Sequence, residues 1–119
     1  MVTALKIAPQ EHPCLVKLCD DRRYLDYAVS EGSDLLLKAS ALKVEDGIAA
    51  IYAFESNLIL LPGNRKIGKR IIAGTFYIVG VKDGKLKSLS EEEIIRFTIK
   101  YWHPEIYEND EVFDSWISF

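Results

Sequence analysis

The sequence predicts an α+β fold: a mainly antiparallel sheet of five or six strands with two helices packed on one face. Three observations lead there. Short runs rich in β-branched and aromatic residues, above all 48–54 and 71–81, alternate with turn-forming residues. One segment, opening at Ser90, combines a helix-start signal with apolar residues at helical spacing. The length of 119 residues, 49% hydrophobic and 28% charged, suits one domain over 1–119 with a single core. Those values exclude disordered, collagenous and disulfide-scaffold classes.

Taken in order, residues 4–8 alternate weakly before Pro9, and 14–18 form a short β-branched run between Pro13 and Asp20-Asp21. Two strands paired as a hairpin fit both. Asp20 or Asp21 then caps a helix over 21–31, with Tyr24, Leu25, Ala28 and Val29 at helical spacing and an end near Gly32. The run 34–44, containing Leu35-Leu36-Leu37, suits a buried strand or a helix segment, and strand is preferred. Residues 48–54 and 58–61 flank the polar link 55–57 in the layout of a hairpin. A loop follows over 62–70, and then 71–81 gives the strongest strand signal, with Gly74 marking a bulge or a close backbone approach. Lys82-Asp83-Gly84-Lys85 reads as a turn. Ser90 with Glu93 forms a capping box, the carboxylates of Glu91, Glu92 and Glu93 suit the helix dipole, and the helix runs to His103-Pro104. The tail 105–119 mixes acids with Ile106, Tyr107, Val112, Phe113, Trp116, Ile117 and Phe119, an aromatic content that argues for docking, either at home or on a partner.

No apolar run reaches the length of a membrane span, and the N-terminal residues lack a secretory pattern, so a cytoplasmic location in the host cell is expected. Cys14 and Cys19 lie too close for a useful bridge and read as thiols in a reducing compartment. With only His12 and His103 as histidines, no metal ligand set emerges, and no cofactor is expected.

Charge is unevenly placed. Residues 61–89 carry seven basic side chains against one acidic, whereas 105–119 carry five acidic and no basic ones. The segment Gly63-Asn64-Arg65-Lys66-Ile67-Gly68-Lys69-Arg70 approaches the phosphate-loop pattern but lacks the hydroxyl and the following helix that make that loop work. What remains is a basic loop with Arg65, Lys66, Lys69 and Arg70, able to attract phosphate or an acidic protein face. Tyr52 and Phe76 lie on expected strands near that loop and can stack on a base, while the pI of 5.4 weighs against nucleic acid as the partner. No nucleophile motif and no paired acid and base stand out, and the chain reads as a non-enzyme.

Residues 58–65 (Leu-Ile-Leu-Leu-Pro-Gly-Asn-Arg), 70–80 (Arg-Ile-Ile-Ala-Gly-Thr-Phe-Tyr-Ile-Val-Gly) and 88–93 (Ser-Leu-Ser-Glu-Glu-Glu) together resemble an uncharacterised family of small proteins from phages and conjugative elements of Gram-positive gut bacteria. That family carries a Leu-Pro-x-Asn-Arg loop, an Ile-Ile-x-Gly-Thr strand and a Ser-Leu-Ser/Thr-Asp/Glu-Glu-Glu helix start. The resemblance covers roughly residues 48–100. In the first half, the family's Gln-x-x-Val-Gly-Gly-Tyr-Ile-Glu segment is represented only by Ala28-Val29-Ser30-Glu31-Gly32. The resemblance implies a mobile-element accessory protein, in a class of genes that often includes inhibitors of bacterial immunity, and it supplies no catalytic residues. The matched positions are Asn64, Arg65, Gly74 and Thr75. Asn64 and Arg65 either build the turn or touch a ligand, and both readings stay open at this point.

The expected function is therefore a phage or mobile-element accessory protein that binds and interferes with a host defence factor. The contact would use the basic loop, or Phe113 and Trp116 of the tail. The alternative is a small-molecule binder that sequesters a phosphorylated signalling nucleotide, with Arg65, Lys66, Lys69 and Arg70 on phosphate and Tyr52 or Phe76 on the base. A homodimer paired through the aromatic tail is a further possibility.

Overall fold

The computed structural model describes residues 1–58 and 61–105. The elements are β1 (Val2–Ile7), β2 (Cys14–Leu18), α1 (Arg22–Val29), β3 (Ala39–Glu45), β4 (Ile48–Ala53), α2 (Glu55–Leu58), β5 (Gly63–Ile67), β6 (Arg70–Ala73), β7 (Phe76–Lys82), β8 (Lys85–Lys87) and α3 (Glu91–Lys100). Six strands form one antiparallel sheet in the order β2-β1-β7-β4-β3, with β8 also paired to β7. The fold is α+β, as expected.

The helices do not share a face. Leu25 and Val29 of α1 pack with Ala4, Leu18, Ile51, Ala53, Tyr77 and Val79. Phe97 and Tyr101, at α3 and its C-terminal cap, pack instead with Leu5, Ile7, Ile48, Tyr52, Phe76 and Ile78. Adjacent residues of β7 therefore serve opposite cores, as a pleated strand requires. The cause lies in β4 and in the first five residues of β7, which are buried throughout. A strand that is apolar on both sides needs cover on both faces. The β5–β6 hairpin adds to the α3 side through Ile72 and Ile67.

Several local expectations change. The basic loop is a second, two-stranded sheet, β5–β6, closed by a turn at Gly68, whose φ is +62°. The long strand 71–81 is two strands belonging to different sheets, broken where Gly74 takes φ +72°. A Cβ there would lie 3.2 Å from Leu61 Cδ1 and 3.2 Å from Ser56 Oγ, so the close backbone approach expected at this glycine is real. Residues 48–54 do not form a hairpin with 58–61, because β4 pairs with β3 on one side and β7 on the other, and 55–58 turn into α2. Ile59 and Leu60 lie outside the described residues. In the run 34–44, strand begins only at Ala39, and 34–38 wrap around the end of α1. Strand β8 was not foreseen. It follows a tight turn in which Asp83 (φ 52°) and Gly84 (φ 75°) both take positive φ, the geometry that suits a two-residue hairpin.

Both long helices start as their sequences indicate. The Asp21 side chain accepts from Tyr24 N, and the capping box between Ser90 and Glu93 is complete in both directions.

Candidate functional site

Asn64 and Arg65 are fully buried. A β-bulge between Gly63 and Arg65 lets two consecutive side chains turn inward, which regular alternation forbids. Asn64 Nδ2 donates to Ile7 O at 2.7 Å and to Gly74 O at 2.8 Å. Arg65 donates from Nε and Nη2 to Tyr101 O (3.2 and 3.0 Å), from Nη2 to Glu11 O (2.7 Å), and from Nη1 to Asn64 Oδ1 (2.7 Å) and Asn64 O (3.2 Å). Tyr101 caps α3, so its carbonyl is one of the acceptors that a helix end leaves over, and a cation there also suits the helix dipole. The pair thus ties together β1, the 8–12 segment, the β6–β7 junction and the end of α3. Beside this knot, His12 stacks on Trp102 with ring centroids 4.1 Å apart, and its Nδ1 lies 2.6 Å from Trp102 O, which makes Nδ1 the protonated nitrogen. The bonds of Asn64 and Arg65 thus run to distant elements as well as within the pair, beyond a local turn.

The phosphate-and-base site is not assembled as the sequence suggested. Lys66, Lys69 and Arg70 are exposed on the hairpin, but Arg65 points away from them into the protein. Phe76 is buried with its ring edge-on to Tyr101, 6.0 Å between centroids. Tyr52 is buried as well, and its hydroxyl accepts from Arg70 Nη1 at 2.8 Å. Neither ring offers a face to a base. Gly74 and Thr75 line a cavity of about 210 Å³ with Ala8, Pro9, Leu61 and Pro62, below the roughly 300–1,000 Å³ usual for ligand sites. Phe113 and Trp116 of the tail lie outside the described residues.

The larger concavity, about 640 Å³, lies on the α1 side, which sequence reasoning did not single out. Its walls are Tyr24, Tyr27 and Ala28 of α1, Leu35 and Leu36 of the following segment, and Tyr77 at its base. With Leu25 and Val29 committed to the core, helical geometry turns Tyr24 and Tyr27 outward, and Tyr27 is 77% exposed. The 30–38 segment is pinned at both ends. Ser30 Oγ donates to Asp26 O at 2.6 Å and accepts from Leu37 N at 2.7 Å, while Asp26 Oδ1 accepts from Ala39 N at 2.8 Å. Leu37 goes into the core, and Leu35 and Leu36 are left standing 61% and 70% exposed. Burial pushes the Tyr77 phenol well above its ordinary pKa, with the Glu31 carboxylate adding to the shift. The Tyr77 hydroxyl donates to Ala28 O at 3.2 Å and so holds the floor of the groove to α1. The concavity thus combines exposed apolar side chains with backbone held by hydrogen bonds.

A second apolar exposure, Ile95, Ile99 and Trp102, runs along α3 on the opposite side of the sheet, beside the bidentate pair Arg96–Glu45. Among the described residues, no group of three His, Cys, Asp or Glu side chains converges as a metal site. No helix among them is long and apolar enough to cross a membrane. Comparison of the chain with protein-family models, with curated proteins and with solved structures finds no match.

Proposed function

We propose that this chain is a non-catalytic binding protein that works by holding a segment of another protein in the groove beside α1. The observation that carries the reading is the exposure of Tyr27, Leu35 and Leu36 around a 640 Å³ concavity whose backbone is fixed by Ser30, Asp26 and Tyr77. Leaving large apolar groups in water has no benefit to the isolated fold, while covering them on association releases that water. A rigid groove also needs little reordering when it binds. The resemblance to small phage and conjugative-element proteins makes a host defence factor the class of target, with interference by contact as the mode of action. The basic hairpin carrying Lys66, Lys69 and Arg70 adds a charged surface to such a contact.

The test is a comparison of wild type with Tyr27→Asp/Leu36→Asp as baits in extracts of a bacterial host, followed by titration of each captured protein in purified form. Both altered positions are exposed, so the variant is expected to melt within about 2 °C of wild type. A captured protein that binds wild type and is lost by at least about tenfold on the variant fits the reading, that loss corresponding to about 1.4 kcal/mol. A partner bound equally by both would place the contact elsewhere, and loss on Lys69→Glu/Arg70→Glu instead would assign it to the hairpin.

A further inference from the structure

We propose that the segment taken by the α1 groove carries a lysine or arginine next to large apolar residues, its cation drawn to Asp34 and Glu31. This deepens the protein-binding reading above and rests on it. The groove is not electrically neutral. Among the described residues its lining carries these two carboxylates and no lysine or arginine. Glu31 is bridged to Lys6 at 2.7 Å but remains about half exposed, its side chain at 46%. Asp34 forms no ion pair with any described residue. The aromatic walls add to this preference, because the faces of the Tyr24 and Tyr27 rings attract cations as well as apolar groups. A phosphate, a nucleic acid or an acidic peptide would instead meet repulsion from Asp34, whose charge no lining cation offsets, Glu31 being already paired with Lys6. Charge and shape thus select the same occupant, an apolar stretch with one basic side chain, and the charge also steers its approach.

The experiment is selection of random displayed peptides against the whole chain, followed by fluorescence titration of the enriched sequences. Each is measured against wild type, Asp34→Lys and Tyr27→Ala/Leu36→Ala. Asp34 is exposed, so Asp34→Lys keeps the fold, and its melting curve serves as the control. Enriched peptides are expected to pair Lys or Arg with Leu, Ile or Phe, to bind Asp34→Lys about tenfold more weakly, and to lose affinity as salt rises. Peptides that need Tyr27 and Leu36 yet lack a basic residue, or ignore Asp34→Lys, would overturn this inference and leave the groove reading standing. Enriched peptides indifferent to Tyr27 and Leu36, or no enrichment at all, would overturn both.

Discussion

Arg65→Ala is expected to lower folding stability by about 3–5 kcal/mol, the upper range for a single substitution. Removing the guanidinium strips Tyr101 O and Asn64 Oδ1 of buried donors and Glu11 O of a part-buried one, and it empties the volume the side chain filled. Buried acceptors left without donors cost about 1–3 kcal/mol each, and two are affected at once. For a chain of this size the melting temperature should fall by about 10–20 °C. Arg65→Lys is expected to restore only part of the loss, because an ammonium on a flexible stem cannot reproduce the planar fork that reaches two carbonyls and an amide together. Differential scanning calorimetry decides the matter. An Arg65→Ala protein melting within about 2 °C of wild type would show that the knot does not hold the fold.

Phe97→Ala should be comparably severe, at about 3–5 kcal/mol. Phe97 is the one fully buried residue within α3, and it anchors that helix on the sheet face away from α1. Its ring lies against Tyr101, 6.4 Å between centroids and nearly parallel, with the Arg96 guanidinium 4.5 Å from its centroid on the outer side. Neighbours held by a strand on one side and the Arg65 knot on the other have little freedom to collapse into the space. The cost should therefore include most of the cavity and not only the transfer of the ring from water. Urea unfolding measures it. The groove lies across the sheet, so the folded fraction of this variant should bind a groove ligand with unchanged affinity. A weakened affinity would mean that the two faces are coupled.

The parts of this fold that the sequence announces are those set by local chemistry. Asp21 and Ser90 cap helices because their side chains reach the backbone two or three residues on, and that geometry depends on nothing distant. The β1–β2 hairpin likewise follows from two short runs between prolines and acids. Positions decided by long-range packing were less legible. Residues 71–81 look like one strand because nothing local at Gly74 reveals that β6 and β7 enter different sheets. The same run, with 48–54, did contain a sign of a sheet covered on both faces, since neither alternates. Arg65 illustrates the difficulty for function. Among Lys66, Lys69 and Arg70 it reads as one more surface cation, and only the bulge at Asn64 turns it inward. The groove was hidden in the opposite way. Leu35-Leu36-Leu37 reads as a buried strand, but Ser30 and Asp26 hold that segment so that only Leu37 enters the core.

In the proposed division of labour, the Asn64–Arg65 segment holds the fold and a partner is taken across the sheet beside α1. Its most direct test is amide-resolved NMR of the isotope-labelled chain titrated with a basic, apolar peptide obtained from the selection above. Shifts confined to Tyr24, Tyr27, the 30–36 segment and Tyr77 are expected, with the 63–70 hairpin unmoved. Shifts centred on Lys66, Lys69 and Arg70, with the groove silent, would contradict it.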